Sequence, residues 1–462
     1  MDKKAKESKD FLLGLVRDGG EISIPRQLRL MVMLSLPAIL AQFSSVLMQY
    51  IDAGMVGRLG AGPSASIGLV STSTWIMYGF ATAVCSGFSV QVAHLFGSKD
   101  YRGARSMFRQ GLTTVMVFGI FLGIVGAAIS QKLPFWLGGS AEIAADSSAY
   151  FLIFSAFLPL SAIGYAASMM LQASGNMKVP SLVYTGMCAL DVVFNYIFIY
   201  VLDMGVVGAA WGTGVAETIA SVFVLWYTMV KSRDLKIVGE EGSFKPSEKT
   251  LKNAWGITGP LWLQNLVIKG AYIMGTVIVA PLGPVSIAAN MFAVSAESFC
   301  YMPGYGISEA ATTLVGQSLG ANRKEVARKF AWMAVALAGG TMSVLAVLMF
   351  IFAPQMMAVL SNDPEVIALG AKVLRIEAFA ELLYGVAIAG YGSCVGGGDT
   401  LIPSFMNFGS MWIIRIGLAA ILTPRIGLAG YWIAMCIELN VRGLLYIWRL
   451  RGEKWMKLKV IS

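Results

Sequence analysis

Twelve apolar runs, each long enough to cross a bilayer as a helix, occupy this sequence from residue 31 to residue 448. A helix rising about 1.5 Å per residue needs about 20 apolar residues to span the hydrocarbon, and no segment between the runs is large enough for a soluble domain. The runs lie near 31–57, 66–94, 110–131, 147–171, 180–202 and 205–230. After a polar stretch at 231–254 they continue near 255–280, 286–317, 330–353, 366–392, 402–423 and 427–448. Composition points the same way: 56% of the residues are hydrophobic and 13% charged, too little charge to coat a soluble chain of 462 residues. The expected fold class is an all-α integral membrane protein with twelve transmembrane helices.

The placement of the basic residues sets the orientation. A net charge of +9 would suit nucleic acid only if it formed a patch, and here the charges sit between the apolar runs. With the N-terminus inside, 28 of the 35 Lys and Arg fall in inner segments. Arg58, Lys132 and Arg425 fall in outer ones, and Lys269, Lys372, Arg375 and Arg415 fall within spans. That asymmetry predicts a multi-pass protein of the cytoplasmic (inner) membrane with both termini cytoplasmic, segment 1–30 at one end and a basic tail, 449–462, at the other. No apolar stretch with a cleavage site precedes the first span, so no removed signal peptide is expected. The five cysteines lie in or at the ends of apolar runs without metal-ligand spacing and read as packing residues.

The two halves match each other at one offset. Pro37 and Pro260, Leu59-Gly60 and Leu282-Gly283, Gly97 and Gly320, Ala104-Arg105 and Ala327-Arg328, and Gly175–Ser181 and Gly398–Ser404 are each 223 residues apart. Gly205 and Gly208 match Gly427 and Gly430 at 222. Six spans per half give both halves the same orientation, hence two six-helix lobes, 31–230 and 255–448, joined by a cytoplasmic linker at 231–254. Such a parallel internal repeat has its pseudo-two-fold axis along the membrane normal. Transporters so built bind substrate between lobes and expose it alternately to either side.

The segments YIDAGMVGRLG (Tyr50–Gly60), LVGQSLGA (Leu314–Ala321), QASGNMKVP and VGGGDTLIP resemble the multidrug and toxic compound extrusion (MATE) family over essentially the whole chain. The resemblance implies a secondary antiporter that exports organic, often cationic, compounds in exchange for H+ or Na+.

Ionisable groups among apolar helices are costly and mark candidate sites. In the first half these are Asp52 and Asp191. Asn195 shares a helix face with Asp191 at i, i+4, and Thr213 lies eight residues into span 6. Counted inward from the outer loops, the four lie roughly 8–18 Å deep and can meet in the outer half. Two carboxylates beside an amide and a hydroxyl offer hard oxygen ligands for Na+ or a shared site for H+. The family resemblance assigns Asp52, Thr213 and an Asn/Asp pair, here with its types exchanged, to this cation-coupling role. At the same offset Asp52 becomes Gly275 and Asp191 becomes Ile414, so the second half lacks the constellation. Its midplane charges are Lys269, Glu297, Glu377, Glu381 and Arg415, read either as a locking network or as a site for a cation or cationic substrate. Where some branches of the family carry an acid on span 7, this chain has Gln264 and Lys269, which favours coupling in the first half. Glu309 and Glu438 receive no role. Met48, Tyr50, Phe154, Phe157 and Met291 could line a cavity or simply pack. Pro37 and Pro260 are candidate hinges.

Other functions lack their parts. There is no G-x-x-x-x-G-K-[ST] motif for ATP hydrolysis, and the single histidine, His94, cannot furnish a histidine-based enzyme or zinc site. GYGSCVGGG only superficially resembles a nucleophile elbow and is explained as the repeat of LQASGN. No enzyme activity and no cofactor beyond the coupling ion are expected. The expected partners are small organic substrates, H+ or Na+ and membrane lipid, with no nucleic acid and with a monomer as the working unit. Alternatives within the sequence are a flippase or exporter of a lipid-linked or other polar metabolite from the wider superfamily, and a non-transporting scaffold or receptor.

Overall fold

The structure, a computed structural model, describes residues 8–456, and every regular element in them is helical. The outermost parts of the expected N-terminal segment and basic tail, 1–7 and 457–462, lie outside the described residues. The first half contains α1 (Lys9–Arg17), α2 (Ile24–Gly57), α3 (Ala61–Gly97), α4 (Tyr101–Ile129), the one-turn α5 (Leu133–Trp136), α6 (Ala141–Ala173), α7 (Lys178–Tyr196) and α8 (Gly205–Trp226). The second contains α9 (Glu248–Val279), α10 (Pro284–Gly320), α11 (Lys324–Leu360), α12 (Pro364–Glu377), α13 (Glu381–Gly396), α14 (Leu401–Phe408), α15 (Gly417–Ile426) and α16 (Leu428–Arg451). Ten helical stretches among the described residues are long and apolar enough to cross a membrane. The other two expected spans fall on α10, which carries Glu297 and Glu309, and on α12 and α13, where a break at Ala378–Ala380 leaves each piece short.

Outward faces confirm the solvent. Val117, Phe121 and Ile124 on α4, and Val344, Val347 and Ile351 on α11, follow helical spacing and are all more than half exposed. Stripes of that kind on two long helices are solvated by lipid, so the chain is a multi-pass membrane protein.

The duplication recurs in the backbone. Lys99 and Asn322, 223 residues apart, both adopt the left-handed conformation (φ 62° and 59°) in the turns after α3 and α10. Gly60 and Gly283, and Gly175 and Gly398, keep positive φ at the same spacing, and Gly205 and Gly427 at 222. A left-handed residue reverses the chain at low cost, chiefly when it is glycine, so these matching turns account for three of the glycine pairs the two halves share.

Contacts divide the chain into two compact units. One holds the described residues up to Phe43 and those from Leu263 onward, and the other holds Ser44–Trp262. The boundaries fall within α2 and α9, shortly after Pro37 and Pro260, where each helix lacks a backbone N–H donor. The core of the first unit gathers Met342, Met349 and Trp432, and that of the second Phe88, Phe108, Phe151 and Met170. In the first unit, α1 buries Leu12, Leu13 and Val16, and Arg323 donates to the carbonyls of Leu15 (2.8 Å), Val16 (3.2 Å) and Gly20 (2.9 Å), capping the helix C-terminus. The segment 231–254 lies wholly in the second unit, where Leu235 and Ile237 are buried. There Arg109 donates to the carbonyls of Ile237 (3.3 Å) and Glu240 (2.9 Å), and Arg105 pairs with Glu240 at 2.7 Å. The linker is thus a fastened strap and not a loose tether.

Candidate functional site

The four residues expected to meet in the first repeat do so. Asp191 and Asn195 lie one turn apart on α7, and Asn195 Nδ2 donates both to Asp191 Oδ2 (3.0 Å) and, across to α2, to Asp52 Oδ1 (2.9 Å). The carboxyls of Asp52 and Asp191 face each other, and Thr213 on α8 stands beside Asp191. Asp191 and Asn195 are fully buried, while Asp52 and Thr213 are half-buried. Gly212 permits this approach, because a Cβ there would collide with Asn195 Oδ1 and lie 2.8 Å from Asn195 N. A π-helical turn, Ile197–Val201, follows α7, and its Tyr200 donates to the Met55 carbonyl at 2.7 Å, tying the end of α7 to α2 just beyond Asp52.

The two N–H groups of the Asn195 amide reach one oxygen of each carboxyl and no more. Among the described residues, Asp191 Oδ1 and Asn195 Oδ1 are buried without a hydrogen-bond partner, and no cationic side chain acts on either aspartate. An orphaned buried acceptor costs about 1–3 kcal/mol, and a pair of facing carboxylates adds repulsion to that. A proton shared between the carboxyls relieves the repulsion. A Na+ among two carboxylates, an amide oxygen and a hydroxyl satisfies the orphaned acceptors as well.

The second repeat uses its charges differently. Glu438 on α16 is fully buried between two guanidinium groups. Its Oε2 accepts from Arg415 Nε (3.0 Å) and pairs with the same group at 2.7 Å. Its Oε1 accepts from Arg442 Nε (2.7 Å) and pairs with that group at 2.5 Å. Arg415 lies in a π-helical segment, Gly409–Ile416, between α14 and α15. Glu377 and Glu381 flank the break between α12 and α13, fully buried, and none of their four carboxyl oxygens has a hydrogen-bond partner. Glu297 on α10 is also buried and acts on both. Lys269 lies over the Tyr272 ring, 5.8 Å from its centroid. The position matching Asp52, Gly275, is filled from the other side: a Cβ there would collide with the Tyr431 hydroxyl.

Three acids escaped the sequence-based assignment. Glu438, given no role, is the centre of the ion-pair triad, and Arg442, counted with the inner charges, is its i, i+4 partner; that spacing was a usable signal. Glu309 accepts from Gln42 of α2 at 2.9 Å. Glu217, on α8 one turn after Thr213, accepts from Ser161 at 2.5 Å; a carboxylate in the middle of an apolar run was sufficient to mark it. Phe154 stacks on Phe151, and Phe157 meets Trp211 edge-on.

Known proteins resemble the chain in sequence and in structure. The MatE family model matches residues 37–197 and 260–421, two stretches that begin at Pro37 and Pro260. "Probable multidrug resistance protein NorM" of Neisseria meningitidis serogroup A is 26% identical, over 92% of this chain and 94% of that protein. "Multidrug resistance protein MdtK" of Yersinia enterocolitica is likewise 26% identical, over 92% and 95%. Among solved structures, an outward-facing multidrug resistance MATE family transporter of the MOP superfamily superposes with a TM-score of 0.88 at 21% identity, covering 96% of this chain and 98% of that one. The fold is therefore the twelve-helix, two-repeat membrane fold expected from the sequence, and the chain belongs to the MatE family of transporters, not to a family of enzymes.

Proposed function

We propose that this chain is a secondary antiporter of the cytoplasmic membrane, working as a monomer with both termini inside, that expels organic, often cationic, compounds in exchange for H+ or Na+. The observation that carries the coupling assignment is the orphaned oxygens between Asp52, Asp191 and Asn195. In lipid, such a cluster is retained only where an ion visits it, since packing alone is served better by apolar residues. The MatE match and the multidrug-resistance names of its relatives support the cargo class.

The ion offsets one of the two negative charges of the Asp52–Asp191 pair and relieves their repulsion, α2 and α7 draw together around it, and the cargo is released. In this scheme Pro37 and Pro260 absorb the bending of α2 and α9, near the points where each helix passes from one unit to the other. The Glu438–Arg415–Arg442 triad holds the second repeat together, while Glu377 and Glu381, with Glu297 beside them, hold a proton or attract a cationic cargo. Reconstituted vesicles loaded with a fluorescent organic cation and given a pH gradient or a Na+ gradient in turn test the reading. One gradient should drive cargo movement in the wild type; movement under neither would end the antiport assignment.

A further inference from the structure

One helical turn to the inner side of the Asp52 cluster, the same two helices frame a second site. On α7 the step from Asp191 leads to Met187 and then Tyr184, and on α8 the step from Thr213 leads to Glu217, in each case toward the cytoplasmic end. Four residues of helix advance about 6 Å. These side chains, with Tyr78, Ser161, Tyr165 and Ser168, line a cavity of about 30 Å³ that includes none of the four residues of the Asp52 cluster. A single water needs about 10–15 Å³ of such space, so the cavity has room for water or a small ion. Glu217 is its only carboxylate, and no Lys, Arg or His lines it. Ser161 Oγ donates to Glu217 Oε2 at 2.5 Å, and the hydroxyls of Tyr78 and Tyr184 meet at 3.3 Å.

The helices packed around Glu217 bring no positive charge to it. The titratable groups that face it are Tyr78 from α3, Tyr150 and Tyr165 from α6, and Tyr184 and Asp191 from α7. A carboxylate so placed has an intramembrane cost and no ion pair to offset it. Its neighbours are oxygens: the Ser161, Tyr78 and Tyr184 hydroxyls, with Ser168 and Ser221 also on the wall. That donor set suits a small monovalent cation in a space large enough for water.

We infer that Glu217, with Ser161 and the Tyr78–Tyr184 hydroxyl pair, forms a second cation site in the first repeat, occupied by the same H+ or Na+ that visits Asp52 and Asp191. The site lies on the inner side of the first and adds one ion to each transport cycle. This inference rests on the coupling role of the Asp52 cluster.

The test is the number of ions exchanged per cargo molecule. In vesicles with the membrane potential clamped, the ion gradient that just balances a fixed gradient of a fluorescent organic cation gives that number, in separate H+ and Na+ arms. Glu217→Gln should exchange one ion fewer per cargo than the wild type, in the arm that drives the wild type. An unchanged ratio overturns the second site, including the case where the variant is merely slower. Ser161→Ala, which keeps the carboxylate, should retain the wild-type ratio and move the ion concentration required by about tenfold, the scale of one hydrogen bond to a charged group: downward in an H+ arm, because the lost hydroxyl donated to the charged carboxylate, and upward in a Na+ arm, where the hydroxyl oxygen is a ligand; no shift also counts against the site. If Glu217→Gln does not reach the membrane, Glu217→Asp is measured in its place and should show weakened ion dependence. Asp52→Asn separates the two readings. A wild-type ratio in that variant defeats the Asp52 assignment itself, whereas uncoupling by Asp52→Asn with an unchanged ratio in Glu217→Gln defeats the second site alone.

Discussion

In the first repeat the carboxyls of Asp52 and Asp191 share one amide and meet no cation, whereas in the second repeat Glu438 is gripped by two guanidinium groups. Both arrangements sit in corresponding helices of a duplicated fold, with the second repeat placing the Tyr431 hydroxyl where a side chain at the Asp52 position would be. The duplication therefore preserved the scaffold and allowed the electrostatics to diverge. A carboxylate held by two arginines is neutralised by the protein and has no need of a travelling ion. A carboxylate pair without a cation stays open to one, and the orphaned Asp191 and Asn195 oxygens are the observation on which the proposed coupling role rests. Glu377 and Glu381 break the simple division, since they also lack partners, but they lie at a helix break and not beside an amide.

Removing a charge should then have opposite consequences in the two repeats. Glu438→Gln leaves Arg415 and Arg442 buried without their shared partner, and breaking a buried pair in this way costs about 3–5 kcal/mol. Thermal unfolding in detergent should show a clear loss of stability; an unchanged melting temperature would remove the locking role. Asp191→Asn deletes a carboxylate that no cation holds, so the protein should remain folded while ion-driven transport falls by about 10- to 100-fold, the usual range of a coupling free energy. Loss of stability comparable to that of Glu438→Gln would place Asp191 among the structural charges and erase the contrast.

Smaller effects refine the comparison. Gly212→Ala pushes a methyl group into Asn195, and overpacking of this kind costs about 1–3 kcal/mol. Ion affinity measured by titration should weaken severalfold or more, whereas Gly275→Ala, which presses on Tyr431 in the second repeat, should leave ion affinity alone. Pro37→Ala and Pro260→Ala restore a helical hydrogen bond and should slow turnover by a few fold without altering ion affinity, since a hinge alters passage between states and not the site itself. A changed affinity in either variant would tie the prolines to the site directly.

Much of this was legible beforehand. Apolar run lengths revealed the helices, and the 223-residue offset revealed the repeat, down to Lys99 and Asn322 sharing an unusual backbone conformation. The i, i+4 spacing of Asp191 and Asn195, with their depth relative to Asp52, sufficed to bring the cluster together. Pairings across long separations were not legible: Arg415 reaches Glu438 over 23 residues through a π-helical segment that shifts the register of its helix. The break at Ala378–Ala380 has no proline to announce it, and the fastening of the linker depends on Arg109 reaching it from 128 residues away. Glu217 was legible in principle as an acid within span 6, but only the fold shows the serine and tyrosines around it.

The central claim is that the Asp52–Asp191 cluster binds the coupling ion and that this ion opposes the cargo. Equilibrium binding of a fluorescent organic cation to the purified protein, measured across a range of pH and of Na+ concentration for the wild type and for Asp52→Asn, tests it most directly. Wild-type affinity should fall as the coupling ion rises, and Asp52→Asn should bind cargo with an affinity that no longer responds to that ion. An ion response in Asp52→Asn equal to that of the wild type would contradict the account.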